Sequence, residues 1–278
     1  MYKTGFDGLR AIYQSKAYEA VKFVPKERCW VLSEPHTRLR GVRSTLQRRA
    51  WPSYDYKSAE KNCPTPQSAR VRTGVRSARG GSARGAAVHE QLHAIAAHGL
   101  KAAQRMYKAK NIDMEPLAID VLKNFAQQNL VLVGAEMPVY DARAPLRMGS
   151  AIDLICKDKK DGRLVIIELK VGGDNYFKKY NAYMENELAP LKIENSPLNQ
   201  ALLQLTVYKM LFEQCYGDYV QPHQIESYRV VYVGLSGIVH QPLIVDAMVP
   251  VQAVVVRMLS AADEKKNSGK KNNKRKVF

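Results

Sequence analysis

The pattern of apolar and polar positions divides the chain into clear elements from about Gly85 onward. Residues 86–109 have apolar side chains at helical spacing among Ala, Gln and Lys, which predicts a helix, and a second helix is predicted around Pro116–Gln128. Three β-rich runs follow at 130–140, 148–158 and 162–171, then a helix over Pro197–Cys215 and a strand at 227–235. The order α, α, β, β, β, α, β predicts an α/β fold with a mixed central sheet flanked by helices.

The third strand carries the strongest burial signal. Four aliphatic residues, Leu164–Ile167, stand in succession, which is typical of a strand covered on both faces. The polar turn Lys159–Gly162 precedes it and suits a hairpin with the strand before. We therefore expect the second and third strands to pair antiparallel.

The first third of the chain shows little periodicity. Residues 1–84 are predicted to be a basic extension and partly a disordered linker, notably Tyr56–Gly81, which is rich in Arg, Ser, Pro and Gly. Order is expected to begin near Gly85, although Phe6–Leu32 contains enough apolar residues to fold locally or dock on the core. The predicted division is 1–84, a folded catalytic domain over 85–264, and a basic disordered tail over 265–278.

The charge is distributed unevenly along the chain. The net charge is +17, and residues 1–84 hold 18 Lys and Arg against 6 Asp and Glu. Residues 265–278 hold seven basic residues and no acid, whereas 85–264 are nearly neutral. Two basic arms on a neutral body favour a polyanion partner, because each Lys or Arg that neutralises a phosphate releases a condensed counterion. For the tail, a targeting or solubility role remains an equal alternative.

The cysteines and the apolar runs indicate the cellular setting. The four cysteines stand singly, without a CxxC pair, which argues against a zinc ribbon or a disulfide framework and favours a reducing compartment. Neither a secretory leader nor a membrane-spanning run is predicted. We expect an intracellular protein that does not associate with membranes.

The most specific chemical signal lies in the predicted hairpin. Asp153 is on the second strand, and Glu168 and Lys170 are at the end of the third. Side chains alternate along a strand, so Glu168 and Lys170 point the same way while Leu169 points into the core. The hairpin can bring Asp153 beside Glu168, where two carboxylates and a lysine would hold Mg²⁺ near a phosphate. The alternative is an exposed ion pair at a strand edge.

Four motifs in this order resemble those of the PD-(D/E)XK nuclease superfamily, in particular its RecB-like exonuclease branch. Gly149–Asp153 and Val165–Lys170 are similar to the second and third motifs. Arg84–Leu92 resembles the first, with a Gly four residues before His89, and Gln204 with Tyr208 resembles the branch's Gln-x-x-x-Tyr motif. Many RecB-like members have Asp where this chain has Glu168, which is within the range of the superfamily.

The resemblance implies a metal-dependent DNA nuclease with a PD-(D/E)XK core. It implies an exonuclease of recombination, repair or replication, at a site of viral or phage DNA replication among others. The nucleus is the alternative location, because the basic C-terminal run can be interpreted as an import signal. Its metal would be Mg²⁺ or Mn²⁺ and its partner DNA. The ligands would be His89, Asp153 and Glu168, with the Leu169 carbonyl as a fourth. Lys170 would orient or activate the attacking water, with Asp153, Glu168 and Lys170 as the catalytic set. Gln204 and Tyr208 would support the site or hold the DNA backbone.

Further substrate contacts are expected before the second strand and after the third. Arg147 is a candidate on one side, and Lys178 and Lys179 are candidates on the other, in a stretch where tyrosines and lysines alternate. A solvated loop with a few packed tyrosines explains that stretch equally well.

Two other classes of function stay open at this stage. His89-Glu90-Gln91-Leu92-His93 spells HExxH, in which two histidines on one helix face bind Zn²⁺ and Glu90 acts as the base of a metalloprotease. A non-catalytic nucleic-acid-binding protein would explain the basic arms. Neither alternative accounts for Asp153 together with Glu168 and Lys170.

Overall fold

The computed structural model describes residues 5–24, 29–33, 36–50, 81–143, 146–172, 183–234, 237–243 and 251–258. Most of the predicted linker, the lysines at 178 and 179, and the basic tail lie outside these residues. In chain order the elements are α1 Gly5–Tyr13, α2 Lys16–Glu19, β1 Val21–Val24, β2 Cys29–Leu32, β3 Thr37–Gly41, α3 Val42–Arg49, α4 Gly81–His98, α5 Leu100–Ala109, α6 Pro116–Gln127, β4 Leu130–Asp141, β5 Met148–Asp158, β6 Leu164–Val171, a 3₁₀ turn Asn186–Leu191, α7 Pro197–Tyr216, a 3₁₀ turn Pro222–Gln224, β7 Ile225–Gly234 and β8 Gly237–Pro242. Residues 251–258 are also helical.

The sheet is mixed, as the sequence predicts. β4, β5 and β6 are antiparallel neighbours, β7 runs parallel to β6, and β8 returns antiparallel to β7. β3 adds a short parallel contact with β5 at Arg40↔Met148 and Gly41↔Gly149. Because β4 pairs with β5 over its whole length, β3 and β6 share the other edge of β5.

Helices cover both faces of this sheet. One apolar cluster joins α1, α3, α7 and helix 251–258 to the sheet, and a second joins α4 and α6 to the opposite face. β6 lies between them with Leu164–Leu169 buried, which explains its continuous aliphatic run. The fold is therefore an α/β sandwich with β6 near its centre.

The predicted helix 86–109 is two helices. α4 ends at His98, and Gly99 adopts φ 79° before α5 begins. Glycine reaches a positive φ without a steric penalty, so one helix ends and the next begins at this residue. Helical periodicity continues through the break, which is why the pattern of apolar residues predicts one helix.

The expectation that order begins near Gly85 is corrected by α1–α3 and β1–β3. Leu9 and Ile12 of α1 are fully buried in the core, so the alternative that Phe6–Leu32 docks on the core is confirmed. β1, β2 and β3 form an antiparallel sheet that joins β5 through β3. The partner that stabilises these short strands lies more than a hundred residues further along the chain, so local periodicity cannot reveal them.

None of the helices in the described part of the chain is both long enough and apolar enough to cross a membrane.

Candidate metal centre

The candidate site lies where β5 and β6 separate. Their ladder ends at Leu154↔Ile167, so Asp153 and Glu168 are the first residues beyond it. The Leu169 amide, which no longer faces a β5 carbonyl, donates to Asp153 Oδ2 at 2.8 Å. The carboxylate therefore takes the place of a strand partner and is held in a fixed position between the two strands.

Glu136 enters the site from β4, and it is the residue that the sequence reasoning missed. The register pairs Ala135 with Leu154 and Met137 with Ile152, which puts Glu136 opposite Asp153. Glu136 has φ 51°, a left-handed conformation that is uncommon outside glycine. The sequence signal that could have indicated this residue is a single glutamate among the apolar residues of the predicted strand 130–140.

The irregular backbone at this point has a structural consequence. Ile152 belongs to the apolar cluster under α7, whereas Leu154 belongs to the cluster under α4. In a regular strand, residues two apart share a face, so the β4–β5 ribbon exchanges faces near Asp153. Met137 and Ala135 make the same exchange on β4. The kink turns the cross-strand carboxyl pair into the space beside α4.

His89 on α4 approaches the carboxyl groups of Asp153 and Glu136 from the face of the sheet that α4 covers. Val88 and Leu92 anchor α4 on the core, and His89 Nδ1 lies 3.8 Å from Asp153 Oδ1. The backbone of Leu169 lies near the imidazole and opposes part of the lowering of its pKa by burial. One ligand atom each from His89, Glu136 and Asp153 lie within 4.8 Å of one another.

Glu168 is the most buried acid of the site, with 1% of its surface exposed. Its Oε1 accepts hydrogen bonds from Lys170 Nζ and, at 2.8 Å, from Gln204 Nε2. Its Oε2 is buried and has no hydrogen-bond partner, and the carboxyl group contacts that of Asp153. A buried carboxylate oxygen without a donor is costly unless a cation or a proton satisfies it.

Gln204 and Tyr208 support Glu168 from α7. The Gln204 amide also donates to Tyr208 Oη at 2.6 Å, and Ser150 Oγ donates to the same hydroxyl at 2.8 Å. Both α7 residues are buried, so they hold the site rather than present a surface to a polymer. Of the two roles expected from the sequence, the geometry favours support.

Burial and mutual repulsion govern the electrostatics. Desolvation, together with the charge of Asp153, raises the pKa of Glu168 to about 7. Desolvation raises the pKa of Asp153 to about 6, against the opposing charge of Lys170. Burial also raises the pKa of Glu136 and lowers that of His89. All four shifts favour the neutral form, because the cost of burying charge exceeds the stabilisation that Lys170 provides.

The donor set fits a hard divalent cation. Among the described residues His89, Glu136 and Asp153 converge, and Glu168 is not part of that group but contacts Asp153 and has an unpartnered Oε2. In a β-strand the N–H and the C=O of one residue face the same neighbouring strand. The Leu169 carbonyl therefore faces β5, as its N–H does, on the side of Asp153. A set of carboxylates with one imidazole is compatible with several divalent cations, Mg²⁺ and Mn²⁺ among them.

Some predicted substrate residues lie elsewhere. Arg147 is exposed, six positions before Asp153 along β5, or about 20 Å away at the rise of a strand. Lys178 and Lys179 lie outside the described residues. The structure brings His89 to Asp153 and places Glu168, held by Gln204, against Asp153, but Arg147 does not lie beside them.

The HExxH pattern does not converge on an ion. His93 is exposed and is absent from the group of possible ligands found among the described residues. Glu90 accepts a hydrogen bond from Tyr107 at 3.2 Å, and Gln91 is buried and bound to the backbone of Asp113 and Glu115. These contacts give the middle of the motif a packing role.

No protein-family model matches the chain, and a search of curated proteins finds no significant match.

Proposed function

We propose that this protein is a divalent-metal-dependent nuclease with a PD-(D/E)XK-like core that hydrolyses phosphodiester bonds in DNA. The observation that carries the proposal is the buried Glu168, whose Oε2 has no partner while Oε1 is held by Lys170 and Gln204. A buried carboxylate oxygen without a hydrogen-bond partner costs about 1–3 kcal/mol or more, and a bound cation would remove that cost.

His89, Glu136, Asp153 and Glu168 would hold the ion, which when bound supplies charge stabilisation at the phosphate and lowers the pKa of water. The Lys170 side chain is 24% exposed, and its ammonium group is bound to Glu168 at the edge of the carboxyl cluster. From there it can donate a hydrogen bond to a phosphate oxygen or to water. Gln204 fixes the orientation of Glu168, so its free Oε2 would face the ion in the same position in each turnover. Hydrolysis adds water to phosphorus and breaks one P–O ester bond.

DNA is the proposed substrate because the two terminal segments are strongly basic and the candidate site is acidic. Three acids at a site repel phosphate unless a cation intervenes, and the basic N-terminal and C-terminal segments attract it from outside. We further propose an exonuclease that acts in recombination, repair or replication, which rests on the RecB-like order of the motifs.

The decisive experiment compares end-labelled linear DNA with closed circular DNA, in EDTA, Mg²⁺ and Mn²⁺. We expect metal-dependent loss of the linear substrate and survival of the circle. Asp153→Asn should abolish cleavage, whereas Asp158→Asn, five residues further along the same strand, should leave it unchanged. Calorimetric titration of Mn²⁺ into both variants gives a second readout. Metal-independent cleavage, or full activity of Asp153→Asn, would overturn the assignment.

A further inference from the structure

The N-terminal helices α1 and α2 meet in a rigid corner. Ser15 joins them, because its Oγ donates to the Ile12 carbonyl at 2.7 Å and accepts from the Tyr18 amide at 3.2 Å. Ser15 is buried, and the rings of Tyr13 and Tyr18 pack edge to face with their centroids 5.1 Å apart. These contacts fix the turn between the two helices, so the corner holds its side chains in constant relative positions.

The corner contacts β4 at two points. A β-carbon at Gly134 would overlap the hydroxyl oxygen of Tyr13, so the tyrosine lies directly on the strand at this glycine. Further along the strand, the hydroxyl of Tyr140 donates to the Ala17 carbonyl at 3.2 Å. Glu136 stands between the two contacts, two residues after the first and four before the second. The corner therefore holds β4 on both sides of the acid that enters the candidate metal centre.

The first contact falls on the irregular part of β4. The pairing register with β5 shifts between Leu132 and Gly134, and Glu136 has its φ of 51° two residues later. Val133 packs against the apolar cluster of α1 and α7, whereas Ala135 belongs to the cluster of α4. Bulges re-aim the side chains that follow them, and a left-handed residue with a side chain persists only where its surroundings hold it. The orientation of Glu136 thus depends on what packs on this stretch.

Helix α1 is also anchored away from β4. Leu9 is fully buried in the core, and a β-carbon at Gly8 would overlap the carbonyl oxygen of Tyr219, so the helix packs closely on the chain that follows α7. Tyr13 is therefore held between a fixed helix and the backbone of Gly134. An atom added at Gly134 has to displace either the helix or the strand, because close-packed interiors have no space to absorb it.

We propose that Tyr13 is a positioning residue of the candidate metal centre, which fixes β4 at Gly134 so that Glu136 reaches the ion. Tyr13 packs on the face of the sheet opposite α4 and acts through the backbone of β4 rather than by touching the ion. The proposal rests on the proposed function for the presence of a metal ion, but not for the cleavage of DNA. The alternative is that the corner contributes only to the stability of the fold, which predicts an unchanged metal affinity in folded protein.

The test is calorimetric titration of Mn²⁺ into the full chain without DNA. Gly134→Ala should raise the dissociation constant for Mn²⁺ by at least about tenfold, as expected when the support of a ligand is lost. Gly134 does not have a positive φ, so alanine suits the backbone and acts only through the added β-carbon. Adding Tyr13→Phe removes the hydroxyl oxygen and leaves ring Cζ 3.4 Å from that β-carbon, an ordinary contact. The double variant should therefore regain the wild-type affinity.

Three further variants separate positioning from stability. Tyr13→Phe alone keeps the ring over Gly134 and should bind Mn²⁺ like the wild type. Tyr13→Ala empties that space and should weaken binding by a similar factor, which keeps the test decisive if Gly134→Ala does not fold. Ile225→Ala removes a buried side chain where β7 pairs with the start of β6, away from the candidate site. It should lower the unfolding midpoint without changing the affinity. Thermal melts establish that each variant is folded.

The outcomes for the two proposals are distinct. Wild-type Mn²⁺ affinity of folded Gly134→Ala or Tyr13→Ala, failure of Tyr13→Phe to restore binding, or no Mn²⁺ binding by the wild type would overturn the positioning role. An equal loss of affinity in Ile225→Ala would overturn it too, because instability alone would then explain the effect. Weakened and restored Mn²⁺ binding in a protein that cleaves no DNA would overturn the nuclease and leave the positioning role standing.

Discussion

Replacing Glu168 by Gln should make the metal-free protein more stable at alkaline pH while removing its response to metal. Glutamine retains Oε1, which can still accept from Lys170 and Gln204, and it converts the unpartnered Oε2 into an N–H donor that can reach Asp153. The substitution therefore removes the buried negative charge without changing the shape of the side chain.

The magnitude follows from the pKa of Glu168, which is raised from 4.5 to about 7. That shift of about 2.5 units corresponds to about 3 kcal/mol. Between pH 4.5 and about 7 the folded protein holds a proton that the unfolded chain has lost, so the free energy of unfolding falls as pH rises through this window. Asp153 adds a decline of the same sign, with its pKa raised from 3.8 to about 6.

The assay is urea unfolding in EDTA at pH 4.5 and pH 8. At pH 8 we expect Glu168→Gln to exceed the wild type by about 1–3 kcal/mol, because the loss of the charge partner of Lys170 offsets part of the gain. At pH 4.5 most of this difference should disappear. Mn²⁺ at a hundred times its dissociation constant should stabilise the wild type by about 2.7 kcal/mol and the variant by much less.

Glu213→Gln is the matched control, because Glu213 pairs with Lys209 on α7 and is 30% exposed. It should respond to pH and to metal like the wild type. If Glu168→Gln is less stable than the wild type at pH 8 without metal, the buried charge is satisfied in a way the structure does not show. Equal stabilisation of both proteins by Mn²⁺ would remove Glu168 from the ligand set.

Four further predictions address individual parts of the protein. Lys170→Ala should lower kcat for DNA cleavage by about a hundredfold or more in protein that a thermal melt shows to be folded, and retained kcat would exclude a role in the chemistry. His89→Ala should raise the Mn²⁺ concentration needed for half-maximal activity by at least about tenfold, whereas the exposed His93 should tolerate Ala; comparable damage from both would revive the zinc-protease alternative. Tyr208→Phe, which removes the hydroxyl that accepts from Gln204 and Ser150, should cost about 1–2 kcal/mol in urea unfolding, and no loss would show that this chain does not stabilise the site. Deletion of Lys265–Phe278 should reduce the slope of log K against log salt for DNA binding by up to about 0.9 per lost phosphate contact, and an unchanged slope would assign the tail to targeting.

The elements that the sequence predicts well are those whose apolar pattern is local. β5 and β6 follow from alternation and from the aliphatic run of Leu164–Ile167, and their pairing brings Asp153 to Glu168 as expected. His89 joins them because α4 packs its apolar face on the same strands. For these residues, the spacing of apolar side chains within one element is enough to predict their position.

The parts that escape prediction depend on distant contacts or on an unusual backbone. Glu136 enters the site only because its φ of 51° reverses the faces of β4, and no alternation pattern encodes such a reversal. Phe23 and Trp30 have their present positions because β3 pairs with β5, and Gly149 leaves room for the contact. Neither relation can be recovered from a window of neighbouring residues.

The parallel pairing of Arg40 with Met148 constrains the order of events during synthesis. The N-terminal sheet leaves the ribosome about a hundred residues before the strand that completes it. At ordinary translation rates of about 5–20 residues per second, it waits about 5–20 s with an unpaired edge. An open strand edge is a template for pairing with other chains, so this interval is the time when nascent copies are most exposed to misassembly. Slowing elongation across residues 50–148 would therefore lower the soluble yield without altering the finished protein.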